Sequence, residues 1–131
     1  MAQPISSADF DSDLNLINPD FQGPVVILFW SSGCPHCTHY HPTFQQAAQE
    51  AAKYGVQFLE VHTPDNPELM AAVENQASPK FKVDGIPTIV SYNNGQYWST
   101  YGPGKNRDKF RSFPETVLFA KTIQKVPVSY V

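Results

Sequence analysis

Val25 to Trp30 (VVILFW) is an unbroken apolar run between Gly23-Pro24 and Ser31-Ser32-Gly33, a pattern that predicts a strand buried on both faces. Beyond it Cys37, Tyr40, Phe44, Ala47, Ala51 and Tyr54 recur at spacings of three and four, which predicts a long helix over 35–54 with one buried face, ended by Gly55. Pro42 lies inside that helix, removes the bond to the Thr38 carbonyl and predicts a kink. Val56 to His62 reads as a second core strand, and Pro64 to Pro67 as a turn opening a short helix through about residue 75, which Ser78-Pro79 breaks. Gly85-Ile86-Pro87-Thr88 leads into a strand through Tyr92, and Asn94-Gly95 signals a hairpin returning through Gln96 to Tyr101. Toward the ends the pattern is weaker. Ser6 or Ser7 can cap a first helix through about Leu16, with Asp9 and Asp11 near its positive end. After a loop at Gly102 to Gly104 comes a final helical region, in which Ser112 and Glu115 suggest a capping box and Pro114 a break into two pieces.

Strands alternating with helices and closing in a hairpin predict an α/β fold: a central mixed sheet, parallel in its core with an antiparallel edge hairpin, flanked by helices on both faces. The 131 residues fit a single domain, 1–131, and apolar residues at 41% against 16% charged place it among folded proteins. Charge divides unevenly, about −8 over residues 1–79 and +5 over 80–131, for a net −3. The densest basic segment, Gly104 to Arg111, reads as a solvated helix start, since no nucleic-acid motif accompanies it. No signal peptide and no apolar stretch approaching the ~20 residues of a membrane span is visible, so the expected address is the cytoplasm, with no membrane partner and a monomer by default.

Both cysteines, Cys34 and Cys37, lie just after the first strand in CPHCTHYH. In a reducing compartment a C-x-x-C pair points to redox or metal chemistry rather than a structural staple. Pro35 suits the first helical position, so Cys34 falls at or beside the N-cap, where unpaired N–H groups and the positive end of the helix favour thiolate over thiol. Cys34 is therefore the expected nucleophile. Cys37, one turn inside, is the expected buried partner of a Cys34–Cys37 redox disulfide. Metal binding is the competing reading, because Cys34, Cys37, His39 and His41 fall within eight residues. Against it, His41 directly precedes Pro42 and no second ligand pair follows, so no metal is assigned; His39 is read as a surface residue, His41 as helix packing and His62 as a strand end.

The strand ending Phe29-Trp30, the Cys34-Pro35-His36-Cys37 motif, Pro42 five residues later, and Gly85-Ile86-Pro87-Thr88 before the Asn94-Gly95 hairpin together resemble the thioredoxin superfamily over about residues 5–120, leaving 121–131 as a tail. The resemblance implies a thioredoxin fold and a dithiol/disulfide oxidoreductase that exchanges with protein thiols and disulfides, needs no cofactor and draws on an upstream dithiol reductase or sulfhydryl oxidase. It also implies a cis bond before Pro87, with Ile86 and Pro87 forming a substrate platform beside Trp30 and Gly33. Three departures stand out. Gly33 replaces the usual Trp and opens access to Cys34. Pro35-His36 between the cysteines is the DsbA-type pair, whereas Ile86 before the proline is thioredoxin-like. Helix-end electrostatics reach at most ~2 kcal/mol, while a DsbA-like thiolate needs about 7 kcal/mol, so His36 is expected to stabilise the Cys34 thiolate and make the protein more oxidising than a typical thioredoxin.

The third departure is Leu28, which stands where thioredoxins bury an acid. Glu60, counted back from Asp65-Asn66-Pro67, stands where they have the lysine that pairs with that acid. Phe58, Glu60 and His62 share one strand face, so Glu60 is the candidate to accept a proton from Cys37. A glutathione-dependent, glutaredoxin-like reductase remains the alternative function. Gly85-Ile86-Pro87-Thr88 and the first helix argue against it.

Overall fold

The computed structural model describes residues 1–101 and 112–123. Among these residues five strands form one sheet: β1 (Gln3–Pro4), β2 (Val25–Trp30), β3 (Gln57–His62), β4 (Thr88–Asn93) and β5 (Gln96–Thr100), in the order β1-β3-β2-β4-β5. β1 and β2 run parallel to β3, while β4 is antiparallel to both β2 and β5. The α-helices among the described residues are α1 (Pro35–Ala52), α2 (Pro67–Glu74) and α3 (Phe113–Lys121). This is the thioredoxin fold.

The sheet separates two cores. Because side chains alternate across a strand, Val26 and Leu28 of β2 join Phe58, Ile89 and the buried face of α1 and α3. Val25, Ile27 and Phe29 join Leu59, Val61, Val90 and Tyr92 on the other side, under Leu69 and Val73 of α2. β2 is thus buried on both faces, the condition that its unbroken apolar run satisfies. Its register sets Leu28 opposite Glu60 on one side and Ile89 on the other, with Trp30 opposite His62.

The expected first helix does not form. Only Ser7–Asp9 make one short 3-10 turn, capped by Ser6 with a reciprocal bond from the Ser6 N–H to Asp9. Asp11 then accepts the backbone N–H groups of Asp13 and Asn15 at 2.9 Å each, Leu14 takes a positive φ of 61°, and Phe10 bridges back to Leu16. An aspartate that binds the following backbone offers the chain a turn in place of a helix. β1 is an addition to the sheet. Pro114 sits in the first turn of α3, where its missing N–H is no loss, with Ser112 as cap accepting the Glu115 N–H at 3.3 Å; the piece expected before it falls on 102–111, outside the described residues. The basic segment 104–111 and the end of the tail, 124–131, lie outside the described residues.

Candidate active site

The site forms where β2 hands over to α1. Ser31 to Gly33 make the turn, Cys34 is the extended N-cap residue, and Pro35 is the first helical residue. Cys34 is half-buried and Cys37 wholly buried, and both are thiols. The sulfur of Cys34 fills the cap role: the Cys37 N–H donates to it at 3.3 Å. Across the cleft the Ile86 carbonyl accepts the Cys34 thiol at 3.7 Å. Ile86–Pro87 is a cis peptide, Pro87 is buried, and the Thr88 hydroxyl donates to the Gly85 carbonyl, closing the turn that brings Ile86 to the sulfur. The expected pair and the expected loop therefore meet at one sulfur atom. Pro35, His36 and Gly33 are exposed around it. A Cβ at Gly33 would meet only Ser31 Oγ, at 3.6 Å, so the space beside Cys34 is open.

Beneath the turn lies a polar cluster whose parts the sequence showed only separately. The His41 ring stacks on Trp30, centroids 4.0 Å apart and planes 16° from parallel. His41 Nε2 lies 2.8 Å from Glu60 Oε2, and the Gln45 amide donates to the same carboxylate at 3.3 Å. His41 is thus more than a packing residue. Trp30 Nε1, meanwhile, is a buried donor with no hydrogen-bond partner among the described residues. On the other side of Trp30, His62 meets the ring edge-on at 5.1 Å.

His62 is a clamp as well as a strand end. Its Nε2 accepts the Ser32 N–H at 3.0 Å and lies 3.0 Å from Ser32 Oγ, while Nδ1 lies 2.9 Å from Asp65 Oδ2. Since Nε2 accepts a backbone N–H, Nδ1 carries the proton toward Asp65. The array has the order of a Ser-His-Asp relay. It lacks the means of acyl transfer, because the Ser32 N–H that would steady an oxyanion is bonded to His62 and the next, Gly33 N–H, to Ser31 Oγ at 3.1 Å. What it does is fix the turn that carries Cys34.

The four members of the Cys/His run do not gather at one point. His39 is exposed and His41 is turned to Glu60, and among the described residues no group of three His, Cys, Asp or Glu is arranged to hold a metal ion. Nor is any helix among them long and apolar enough to cross a membrane.

Comparison with known proteins gives the same family. The thioredoxin family model matches residues 2–116. The chain is 28% identical to a thioredoxin of Rhodospirillum rubrum over 115 residues, 88% of this chain and 90% of that protein. It is 26% identical over 88 residues to human protein disulfide-isomerase A4, covering 66% of this chain but 12% of that much longer protein. Among solved structures, human ERp44 in a zinc-bound form superposes with a TM-score of 0.68 over 92% of this chain and 31% of that one, at 15% identity, a likeness of fold.

Proposed function

The chain belongs to the thioredoxin family, and from that premise we propose that it is a dithiol/disulfide oxidoreductase acting on protein thiols and disulfides through a mixed disulfide with Cys34. The Cys34 thiolate attacks one sulfur of a substrate disulfide and the other leaves as a thiolate. Cys37 then attacks Cys34, forms the Cys34–Cys37 disulfide and releases the substrate reduced; the same steps reversed oxidise a substrate dithiol. One observation carries the reading: the Cys34 sulfur accepts the Cys37 N–H at the start of α1 and faces the Ile86 carbonyl, so nucleophile, resolving residue and substrate platform share one place. Trp30, Gly33, Ile86 and Pro87 are the substrate-contacting surface, Pro35 starts the helix, and Glu60 serves the proton transfer from Cys37. The activity resides in one domain. It needs no prosthetic group and is restored by an upstream dithiol reductase or sulfhydryl oxidase, with the cytosol as the expected compartment.

His36 places the pair on the oxidising side of thioredoxin. The interval between the ~−270 mV of thioredoxin and the ~−120 mV of DsbA is about 7 kcal/mol, more than a helix end supplies, and a second donor or charge at Cys34 shifts the balance toward the dithiol. Equilibration of the purified protein with glutathione buffers tests this. The expected potential lies above about −270 mV; a value at or below it assigns the protein to the reductases.

A further inference from the structure

Cys37 is completely buried, so its proton has no direct path to bulk water, yet a thiol must lose that proton to act as a nucleophile. Leu28, wholly buried against Glu60 and Ile89, offers no acceptor. His41 lies four residues further along α1. Side chains at that spacing share a helix face, with Cβ atoms about 5–6 Å apart, and lean back over the preceding turn, so His41 stands on the Cys37 side of α1.

The surrounding bonds fix which ring nitrogen can work. Gln45 Oε1 accepts the Ala2 N–H at 2.8 Å, which turns the Gln45 amide nitrogen toward Glu60. An ionised carboxylate only accepts, so the 2.8 Å contact with Glu60 puts a hydrogen on His41 Nε2. Nδ1 of the neutral ring is then the acceptor. Stacking on Trp30 holds the ring plane.

We propose that His41 accepts the proton of Cys37 during resolution, with Glu60 as the residue that positions the imidazole. The inference rests on the exchange reaction proposed above. The proton of Cys37 passes to His41 Nδ1 as the Cys37 sulfur attacks Cys34; the substrate–Cys34 S–S bond breaks as the Cys34–Cys37 bond forms, and the electron pair leaves with the substrate sulfur, which is protonated from His41 or solvent. Glu60 faces the imidazolium across 2.8 Å and offsets its charge. In the reverse direction protonated His41 returns the proton to Cys37 as the disulfide opens. Among the described residues, the other polar or titratable groups around the ring are Gln45 on α1, and His62 with Asp65 beyond Trp30; the Met1 amino group adjoins the Ala2 N–H that Gln45 accepts.

Stopped-flow reaction of the reduced protein with dithionitrobenzoate separates the steps, because attack by Cys34 depends on reagent concentration whereas release of the second thionitrobenzoate by Cys37 does not. His41→Phe keeps a ring to stack on Trp30 but has no base. It is expected to slow the second phase about 100-fold near neutral pH, to move its rise with pH to the alkaline side, and to leave the first phase as it was. His41→Ala should match it, and Glu60→Gln should slow the second phase less. A second phase in His41→Phe with the wild-type rate and pH profile overturns the proposal, since a ring needed only for packing is rescued by Phe. A wild-type protein with no concentration-independent phase overturns the exchange reaction itself and this inference with it.

Discussion

Cys34 is supported through backbone: its sulfur takes the Cys37 N–H, and the turn before it hangs on the bond from Ser32 N–H to His62. At this scale two substitutions are informative. His36 is exposed in the first turn of α1, two residues after Cys34, and His36→Gly should lower the redox potential by about 10–30 mV, equivalent to the 0.5–1.5 kcal/mol of one net hydrogen bond, as read by glutathione equilibration. An unchanged potential would reduce His36 to a solvated loop residue. His62→Ala removes the acceptor of the Ser32 N–H, so amide hydrogen exchange at Ser32 should quicken while α1 keeps its protection; equal protection in both proteins would show that the clamp is not what holds the turn.

Elements show where local pattern suffices and where it fails. β2, α1, β3 and the β4–β5 hairpin were legible because each is long enough to display a period or carries a strong turn signal. β1 was not, since two residues, Gln3–Pro4, have no period, and its place is set by pairing with β3. The expected first helix gives way because a capping serine followed by acids is also the start of an aspartate-centred turn, and only tertiary contacts choose. Those contacts are specific: the Tyr92 hydroxyl, deep in the second core, donates to the Leu14 carbonyl at 2.6 Å, and the Leu16 N–H donates to the Gly95 carbonyl at 2.7 Å. Tyr92→Phe leaves the Leu14 carbonyl without that donor and should cost about 1–3 kcal/mol in denaturant unfolding. Burial raises the Tyr92 pKa well above its ordinary value, with Tyr97 and Asp11 adding to the shift. A folded-state pKa above the unfolded one gives stability that is complete below the unfolded value of about 10 and lost as pH rises toward the folded one. The wild type should therefore lose stability in that alkaline window, and Tyr92→Phe should lose less; parallel alkaline limbs would contradict the assignment. Gly95 has φ of +79°, and a Cβ there would stand 2.6 Å from the Leu16 carbonyl oxygen. Gly95→Ala should accordingly destabilise by at least about 1 kcal/mol, measured the same way, and a neutral result would mean that the hairpin shifts away from residue 16.

Over the whole molecule, the sheet brings together segments far apart in sequence: Cys34 from the turn between β2 and α1, Ile86 from the loop before β4, His41 from α1 and Glu60 from β3. Spacing alone revealed the cysteines and the proline loop, because both are local motifs. It could not reveal the His41–Glu60 pair, which depends on how α1 crosses β3. The available signal was the coincidence of a polar residue one turn beyond Cys37 with a lone acid on a strand face; taken singly, the first reads as helix packing and the second as an acceptor for the Cys37 proton, and spacing does not join them. The fold also turns His39 of the Cys/His run to solvent, while Cys37 and His41, four positions apart, share a face of α1. All of this serves one claim, that Cys34 attacks and Cys37 resolves. The most direct measurement incubates Cys34→Ser and Cys37→Ser proteins with disulfide-bonded protein substrate, quenches with acid and separates the products on non-reducing gels. Cys37→Ser should accumulate mixed disulfides that disappear on reduction, and Cys34→Ser should form none. Equal trapping by both variants, or trapping by Cys34→Ser alone, would contradict the account.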